Sequence, residues 1–127
     1  MFKILLVEDN AYFRQSLKDL LHLQFPLMLI EEAADGNKAL KKVDAFHHDL
    51  IFMDIGLPGE SGLLVTEKIK KNHPGIIIII LSFSDSPQHR EATSRCGADR
   101  FISKDKLTWE EVETLIKSVL SDLDGAT

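Results

Sequence analysis

Residues 50–54 read Leu-Ile-Phe-Met-Asp, an uninterrupted apolar run that ends in a carboxylate. The run does not alternate with polar residues, which is typical of a strand covered on both faces of a parallel sheet. Similar short runs recur at residues 3–7, 27–30, 76–81 and, more weakly, 100–103. An unpaired charge at the end of a buried strand is costly, so Asp54 is expected to have partners there. The sequence therefore predicts a set of buried strands, with Asp54 at the end of one of them.

Stretches of helical periodicity separate these runs, at residues 11–23, 62–72 and 108–123. Their apolar stripes are Phe13, Leu17, Leu20 and Leu21 in the first, Leu64, Val65 and Ile69 in the second, and Val112, Leu115, Ile116, Val119 and Leu120 in the third. Thr108, followed three residues later by Glu111, is typical of a capping box. Asp35-Gly36 marks the start of another helix, and Gly97 the end of a fourth. Strand and helix thus alternate five times, which predicts an α/β fold with a doubly wound, five-stranded parallel sheet and five helices.

Length and charge limit the class of protein. With 127 residues, 44% of them hydrophobic, the chain suits one packed domain. Its formal net charge of -5 opposes direct binding to nucleic acid and to anionic membranes. The single cysteine, Cys96, has no internal disulfide partner, and the early charges of MFKILLVEDN are unlike a signal peptide. The longest apolar run is far shorter than the roughly 20 residues of a membrane-spanning helix. We therefore expect a soluble, cytoplasmic protein.

Polar side chains follow four of the predicted strands: Glu8-Asp9 the first, Asp54 the third, Ser82 the fourth and Lys104 the fifth. The functional crevice of an open parallel sheet lies outside the carboxyl ends of its strands, so we expect these side chains to meet. Carboxylates brought together repel one another, and they either take up protons or share a cation. Oxygen ligands favour a hard ion, Mg2+ before zinc or copper. The histidines fit no metal-binding spacing, and we expect all of them at the surface: His22, His47, His48, His73 and His89.

A carboxylate beside a hard cation, with a lysine and a hydroxyl nearby, suits phosphoryl transfer. Asp54 can attack phosphorus as a nucleophile, while Lys104 neutralises the phosphoryl oxygens and Ser82 donates a hydrogen bond. Each residue alone also has a simpler interpretation. Glu8-Asp9 can cap a helix, Ser82 can satisfy the backbone, and Lys104 can be a solvated surface lysine. Their combination at matched strand ends favours the site.

Five segments at these strand ends resemble the receiver domain of bacterial response regulators. They are residues 4–10, Asp35-Gly36 with Ala39-Leu40, residues 52–58 with Gly62, Leu81-Ser82, and residues 97–104. The resemblance implies a flavodoxin-like fold of the chemotaxis-regulator type, with strand order 2-1-3-4-5. It assigns residues 1–123 to the receiver domain and leaves 124–127 as a C-terminal tail or the start of a linker.

The resemblance implies a role for each residue of the site. Glu8, Asp9, Asp54 and the main-chain carbonyl of Gly56 are expected to hold Mg2+. Asp54 is expected to be the phosphoacceptor, receiving a phosphoryl group from a sensor histidine kinase or a phosphotransfer protein. Lys104 and Ser82 are then expected to bind the phosphoryl oxygens. Such domains catalyse their own phosphoryl uptake and slow self-dephosphorylation, and are not turnover enzymes.

The resemblance also implies a conformational switch and a partner. Phe101 takes the place of the family's switch aromatic, which turns inward as Ser82 moves toward the phosphoryl group. The face of the fourth helix, fifth strand and fifth helix then changes shape and selects a downstream protein. The Lys104-Asp105 ending resembles receivers joined to a C-terminal helix-turn-helix DNA-binding domain. Pairing of two copies into a homodimer through the same face is compatible with the resemblance.

One departure from the family pattern keeps an alternative open. Phe83 follows Ser82 where the family commonly has a small residue, and a bulky ring there is expected to slow phosphotransfer and hydrolysis. The alternative is a pseudo-receiver, a protein-binding module that keeps the fold and never takes up phosphate. A phosphatase with an aspartyl nucleophile is disfavoured, since Gly56 stands where such enzymes carry a second acid. A nucleotide-binding fold is disfavoured because the first strand leads into Glu8-Asp9 and not into a glycine-rich loop.

Overall fold

A computed structural model describes residues 2–83 and 86–125 of the chain. Strands and helices alternate as β1 (Lys3–Val7), α1 (Ala11–Gln24), β2 (Leu29–Ala33), α2 (Gly36–Ala45), β3 (Leu50–Asp54), α3 (Gly62–Asn72), β4 (Ile77–Ser82), α4 (Pro87–Arg95), β5 (Arg100–Ser103) and α5 (Trp109–Gly125), with a 3-10 turn at Lys104–Lys106. The strands form one sheet in the order β2-β1-β3-β4-β5, and every pairing is parallel. The predicted fold class is confirmed. Residues 126 and 127 of the predicted tail lie outside the described residues.

The core has two layers because successive residues of a strand point to opposite faces of the sheet. In β1, Leu5 and Val7 pack with residues of α2 and α3. Ile4 and Leu6 pack on the other face, with residues of α1 and α5. All five residues of the central strand β3 are buried, Asp54 included. Both faces of this strand are therefore covered, as its unbroken apolar run predicts.

Side-chain caps fix where the helices begin. Asn10 accepts a hydrogen bond from the Phe13 amide at 3.0 Å, and Asp35 accepts one from the Lys38 amide at 2.9 Å. The Thr108 hydroxyl accepts from the Glu111 amide at 3.2 Å, so the predicted cap of the last helix is present. The Asn10 cap starts α1 immediately after the carboxylates that follow β1, which places the first turn of α1 beside the carboxyl ends of the strands.

The second strand lies later than predicted. The apolar run at 27–30 suggested its position, but β2 begins at Leu29 and continues through Glu31 and Glu32, while Leu27 is 82% exposed. As an edge strand, β2 is stabilised partly by ion pairs. Glu31 and Glu32 pair with cations at 2.9–3.6 Å, from Lys3, Lys42, Arg14 and Lys18. A strand held by charged partners does not require an apolar run, so hydrophobicity alone placed it too early.

Two of the predicted apolar stripes are narrower than expected. Leu20 of α1 is 42% exposed and Leu64 of α3 is 44% exposed, whereas Leu17, Leu21, Val65 and Ile69 are buried. Leu20 and Leu64 lie at the margins of their stripes, where the helix surface turns toward solvent. Within the described part of the chain, none of the helices has both the length and the apolar character needed to cross a membrane.

His48 contradicts the expectation that every histidine lies at the surface. It is fully buried between α2 and β3, and its Nε2 atom lies 2.7 Å from Oε1 of Glu31 on β2. Burial lowers the pKa of His48, and the hydrogen bond with Glu31 offsets part of that effect. The partner that makes burial tolerable lies on β2, 17 residues before His48, which is why the sequence around His48 does not reveal it.

Candidate functional site

The predicted site residues meet at the carboxyl ends of the strands. Glu8 directly follows β1, Asp54 ends β3, Ser82 ends β4, and Lys104 directly follows β5. They line one cavity of about 460 Å³, together with Asp9, Asn10, Ile55, Gly56 and Phe83. The parallel sheet therefore brings all the predicted metal, acceptor and phosphoryl-binding residues together. The predicted switch residue Phe101 lies outside this lining.

Lys104 carries the positive charge of the cavity and lies between two carboxylates. Its Nζ atom is 3.3 Å from Oδ1 of Asp54 and makes a short contact with Oε1 of Glu8. The three side chains are only 3%, 9% and 4% exposed for Lys104, Asp54 and Glu8. Water screens these charges weakly, so the ammonium and both carboxylates interact more strongly than surface ion pairs do.

Two hydrogen bonds of its backbone hold Glu8 in position. Its amide donates to the Ala33 carbonyl at 3.0 Å, and its own carbonyl accepts from Nη1 of Arg14 at 2.6 Å. Burial, helped by a side-chain hydrogen bond with Asp54 and by the Asp54 charge, raises the pKa of Glu8 to about 7. Lys104 and the Asn10 amide act in the opposite direction. Glu8 can therefore exchange a proton near neutral pH, depending on which cation accompanies it.

The loop that follows β3 closes tightly on Asp54. The Gly56 amide donates to Oδ1 of Asp54 at 3.3 Å, and the Gly62 amide donates to the Ile55 carbonyl at 3.1 Å. A Cβ atom at position 62 would lie 2.0 Å from the main-chain oxygen of Asp54. Only glycine allows this approach, and the contact holds the backbone of Asp54 against the start of α3.

Three carboxylates are close enough to share a cation. Glu8, Asp9 and Asp54 can each provide one oxygen such that the three atoms lie within 4.8 Å of one another. Glu8 and Asp54 are buried, whereas Asp9 is exposed, so an ion can enter from the solvent side. Oxygen donors of this kind suit a hard divalent cation. The donor set fits the predicted Mg2+, and Gly56 lines the same cavity.

Two aromatic rings flank Lys104. The ring centroid of Phe13 lies 4.7 Å from its Nζ atom, and that of Phe83 lies 5.1 Å away. The sequence placed Phe13 in the core stripe of α1 and did not connect it with the site. Its position three residues after Asn10, in the first turn of a helix that starts at the site, is the signal that could have done so. Phe83 was predicted to be near the cavity, and it does line it.

Phe101 lies beside the site, on β5. It is partly buried and packs against the core layer of α2 and α3, and the guanidinium carbon of Arg90 lies 4.9 Å from its ring centroid. Ser82 pairs in register with Ser103, two residues after Phe101 on the neighbouring strand. Ser82 and Phe101 are therefore close along adjacent strands. Their role as a switch stays a prediction.

The chain is similar to known proteins in both sequence and structure. Residues 4–117 match the family described as the response regulator receiver domain. The oxygen regulatory protein NreC of Staphylococcus haemolyticus is 35% identical over 103 residues, which are 80% of this chain and 48% of NreC. The chain thus spans about half the length of the curated relatives it matches.

Two solved structures show the same fold. The response regulator TrrA of Thermotoga maritima, in complex with Mg2+-BeF, has a TM-score of 0.81 at 33% identity, covering 94% of this chain and 99% of that one. A LuxR-family DNA-binding response regulator from Staphylococcus aureus has a TM-score of 0.84 at 27% identity, covering 94% of this chain and 99% of that one. Together with the family match and the strand order, these similarities establish the relationship. The chain belongs to the response regulator receiver domain family.

Proposed function

We propose that the chain is a phosphorylation-controlled signalling switch and that Asp54 accepts the phosphoryl group. The observation that carries the proposal is the buried Asp54 carboxylate, with the Lys104 ammonium 3.3 Å from its Oδ1 atom. A nucleophilic carboxylate next to a fixed positive charge suits attack on a phosphoryl group, because that charge stabilises the equatorial oxygens during transfer.

The proposed transfer step uses Asp54 as the nucleophile and a phosphohistidine as the donor. A carboxylate oxygen of Asp54 forms a new bond to phosphorus, and the P–N bond of a donor phosphohistidine breaks. The imidazole nitrogen keeps the electron pair of the broken bond, and Asp54 becomes an acyl phosphate. Lys104 and Ser82 line the same cavity, and we propose that they bind the phosphoryl oxygens. The donor is proposed to be a sensor histidine kinase or a phosphotransfer protein.

We propose Mg2+ as the cofactor, held by Glu8, Asp9, Asp54 and the main-chain carbonyl of Gly56. When bound, the ion supplies positive charge that neutralises the carboxylates and the transferring phosphoryl group. Support comes from the three carboxylate oxygens that can lie within 4.8 Å of one another, and from the complex of TrrA with Mg2+-BeF. Without the ion, Lys104 is the cation that offsets the charges of Glu8 and Asp54.

The output is proposed to be a population shift involving Ser82 and Phe101. A phosphoryl group on Asp54 draws the Ser82 hydroxyl toward it and favours the state in which the Phe101 ring turns inward. The altered face of α4, β5 and α5 then binds a downstream protein or a DNA-binding domain of the same protein, in the cytoplasm. The curated relatives are about twice as long as the matched region, and one structural neighbour is named a DNA-binding response regulator.

One observation favours a second candidate, the phosphorylation-independent binding module. Phe83 lines the cavity beside Asp54 and is 64% exposed as a residue, so a donor must pass a bulky side chain. Calorimetric titration with Mg2+ separates the two candidates. Binding that is lost in Asp54→Asn supports the phosphoacceptor site, and a complete lack of binding supports the module.

Incubation with acetyl phosphate and Mg2+, followed by intact-protein mass spectrometry, tests the proposed function. We expect one added phosphoryl group in the wild-type protein and none in Asp54→Asn or in the presence of EDTA. Asp49→Asn is the matched control, because Asp49 lies outside the cavity, at the opposite end of β3. An adduct that forms equally in Asp54→Asn would exclude Asp54 as the acceptor.

A further inference from the structure

The position of the Lys104 ammonium requires an explanation, because a lysine side chain has many conformations. Lys104 begins the turn after β5, and its Nζ atom reaches both Glu8 beyond β1 and Asp54 at the end of β3. The side chain is 3% exposed. Ordering a long side chain so completely costs conformational entropy, so groups beyond the two carboxylates are expected to hold it.

Phe13 and Phe83 provide those groups. The two ring centroids lie 4.7 and 5.1 Å from Nζ of Lys104, within the distance at which an aromatic face attracts a cation. Phe13 belongs to the first turn of α1, which the Asn10 cap fixes at the edge of the cavity. Phe83 directly follows Ser82 at the end of β4. The ammonium is therefore contacted by one ring from α1 and by one from the residue that follows β4.

The two rings contact the Lys104 ammonium in a different way from the carboxylates. An ammonium has three N–H donors, and Glu8 and Asp54 can each accept from one of them. A ring face attracts the positive charge without adding a further carboxylate that competes with the phosphoryl group. The third donor stays available for an oxygen of an incoming phosphoryl group, while the rings also keep water away from the charge.

Phe83 has a feature that core packing does not explain. The residue is 64% exposed and belongs to neither of the two core layers, although an apolar side chain gains little from such a position. Phe13, in contrast, is partly buried and packs against the layer of α1 and α5. The contact with Lys104 is thus the structural relationship that the two phenylalanines share.

We propose that Phe13 and Phe83 are positioning residues, whose rings hold the Lys104 ammonium beside Asp54 where the phosphoryl group arrives. The inference rests on the proposed function of Asp54 and deepens it. It also gives Phe83 a role opposite to simple obstruction: the ring narrows the cavity but keeps its cation in place.

The test compares leucine and tyrosine at each position. Phe13→Leu and Phe83→Leu keep an apolar side chain but remove the aromatic face, and Phe13→Tyr and Phe83→Tyr keep the face. We expect each leucine variant to take up phosphate from acetyl phosphate with Mg2+ roughly three to ten times more slowly than wild type. The tyrosine variants are expected to stay within about twofold of wild type. Phe46→Leu is the control, because Phe46 faces Lys3, away from the cavity.

A second measurement reports on Lys104 itself. In the wild-type protein, the ε-methylene protons of Lys104 lie next to two ring faces, so their NMR signals should be shifted upfield from those of exposed lysines. The shift should shrink in each leucine variant and persist in each tyrosine variant. Because Phe83 is exposed, Phe83→Leu is expected to fold even if Phe13→Leu does not. The uptake rate and the NMR shift of Phe83→Leu then test the inference without Phe13→Leu.

Slower uptake together with loss of the upfield shift supports the inference. Uptake that is unchanged or faster in Phe83→Leu overturns it, since the ring would then have no effect or would only obstruct the donor. Slower uptake with an unchanged Lys104 signal also overturns it, because the ring would act by another route. A wild-type protein that takes up no phosphate at all contradicts the proposed function instead, while the NMR comparison still reports whether the rings hold the lysine.

Discussion

The Nζ atom of Lys104 lies 3.3 Å from Oδ1 of Asp54 and also contacts Glu8, so two buried carboxylates share one ammonium. Each carboxylate would be costly to bury as an isolated charge, and the ammonium offsets both. The same ammonium faces the place where phosphate charge would develop on Asp54. Both the burial of Glu8 and Asp54 and the proposed phosphoryl chemistry therefore depend on Lys104.

Lys104→Met should slow phosphate uptake by about a hundredfold, because it removes a fixed charge that stabilises the transferring phosphoryl group. The same variant should bind Mg2+ more tightly, since no ammonium then competes for Glu8 and Asp54. Uptake is measured by mass spectrometry against time, and Mg2+ affinity by calorimetry. Lys41→Met, at an exposed position of α2, is the control. Weaker Mg2+ binding in Lys104→Met would contradict the competition between the two cations.

Mg2+ affinity should rise with pH across neutrality. Burial raises the pKa of Glu8 to about 7, so below that pH Glu8 holds a proton that must leave before it binds a metal ion. Affinity measured by calorimetry should increase between about pH 6 and about pH 8. Glu8→Gln should bind more weakly, without this pH dependence, and Glu110→Gln, at an exposed position of α5, should behave like wild type. The same pH dependence in Glu8→Gln would show that another group titrates.

Gly62→Ala should destabilise the protein by about 1–3 kcal/mol, because the new methyl group must displace backbone. Its Cβ atom would lie 2.0 Å from the Asp54 oxygen. Gly75→Ala is the matched control, since nothing lies within 4 Å of a Cβ atom there. Its unfolding free energy should stay within about 0.5 kcal/mol of wild type. Urea unfolding measures both, and equal values for the two variants would contradict the close approach.

His48→Asn should lower the unfolding free energy by about 1–3 kcal/mol near neutral pH, because it breaks a buried hydrogen bond to Glu31. Burial lowers the pKa of His48 below its ordinary 6.5, so the folded state disfavours the protonated imidazole. The unfolded chain therefore binds an extra proton at His48 as the pH falls below 6.5. The unfolding free energy of the wild-type protein falls accordingly.

The difference in unfolding free energy between wild type and His48→Asn should consequently shrink on acidification, since asparagine does not titrate. Urea unfolding at several pH values from neutral downwards measures this difference. His22→Asn, at an exposed position of α1, should follow the wild-type curve throughout. A difference that grows as the pH falls would show that protonation of His48 stabilises the folded protein. That result would contradict a pKa lowered by burial.

The site was predictable because its signals are local. Asp54 follows an unbroken apolar run, and Glu8, Ser82 and Lys104 follow other runs in the same way. Parallel strands bring such ends together whatever the distance along the chain. The structure places all of these residues around one cavity.

The features that were misplaced depend on partners distant in sequence. Glu31 lies in an edge strand because Lys3, Lys42 and His48 contact it, and none of these contacts is visible in residues 27–33 alone. His48 can be buried because its partner, Glu31, lies 17 residues earlier in the chain. Phe13 appeared to be an ordinary core residue because the lysine it faces is near the other end of the chain. Periodicity finds elements and their faces, but it does not find single pairs of side chains.

The acceptor itself is tested most directly by chemical trapping. After incubation with acetyl phosphate and Mg2+, sodium borohydride reduces an aspartyl phosphate to homoserine, and peptide mass spectrometry locates the changed residue. We predict homoserine at position 54 in the wild-type protein, and no change at that position when Mg2+ is chelated. Homoserine at another carboxylate, or a phosphorylated protein with an unmodified Asp54, would contradict Asp54 as the phosphoacceptor.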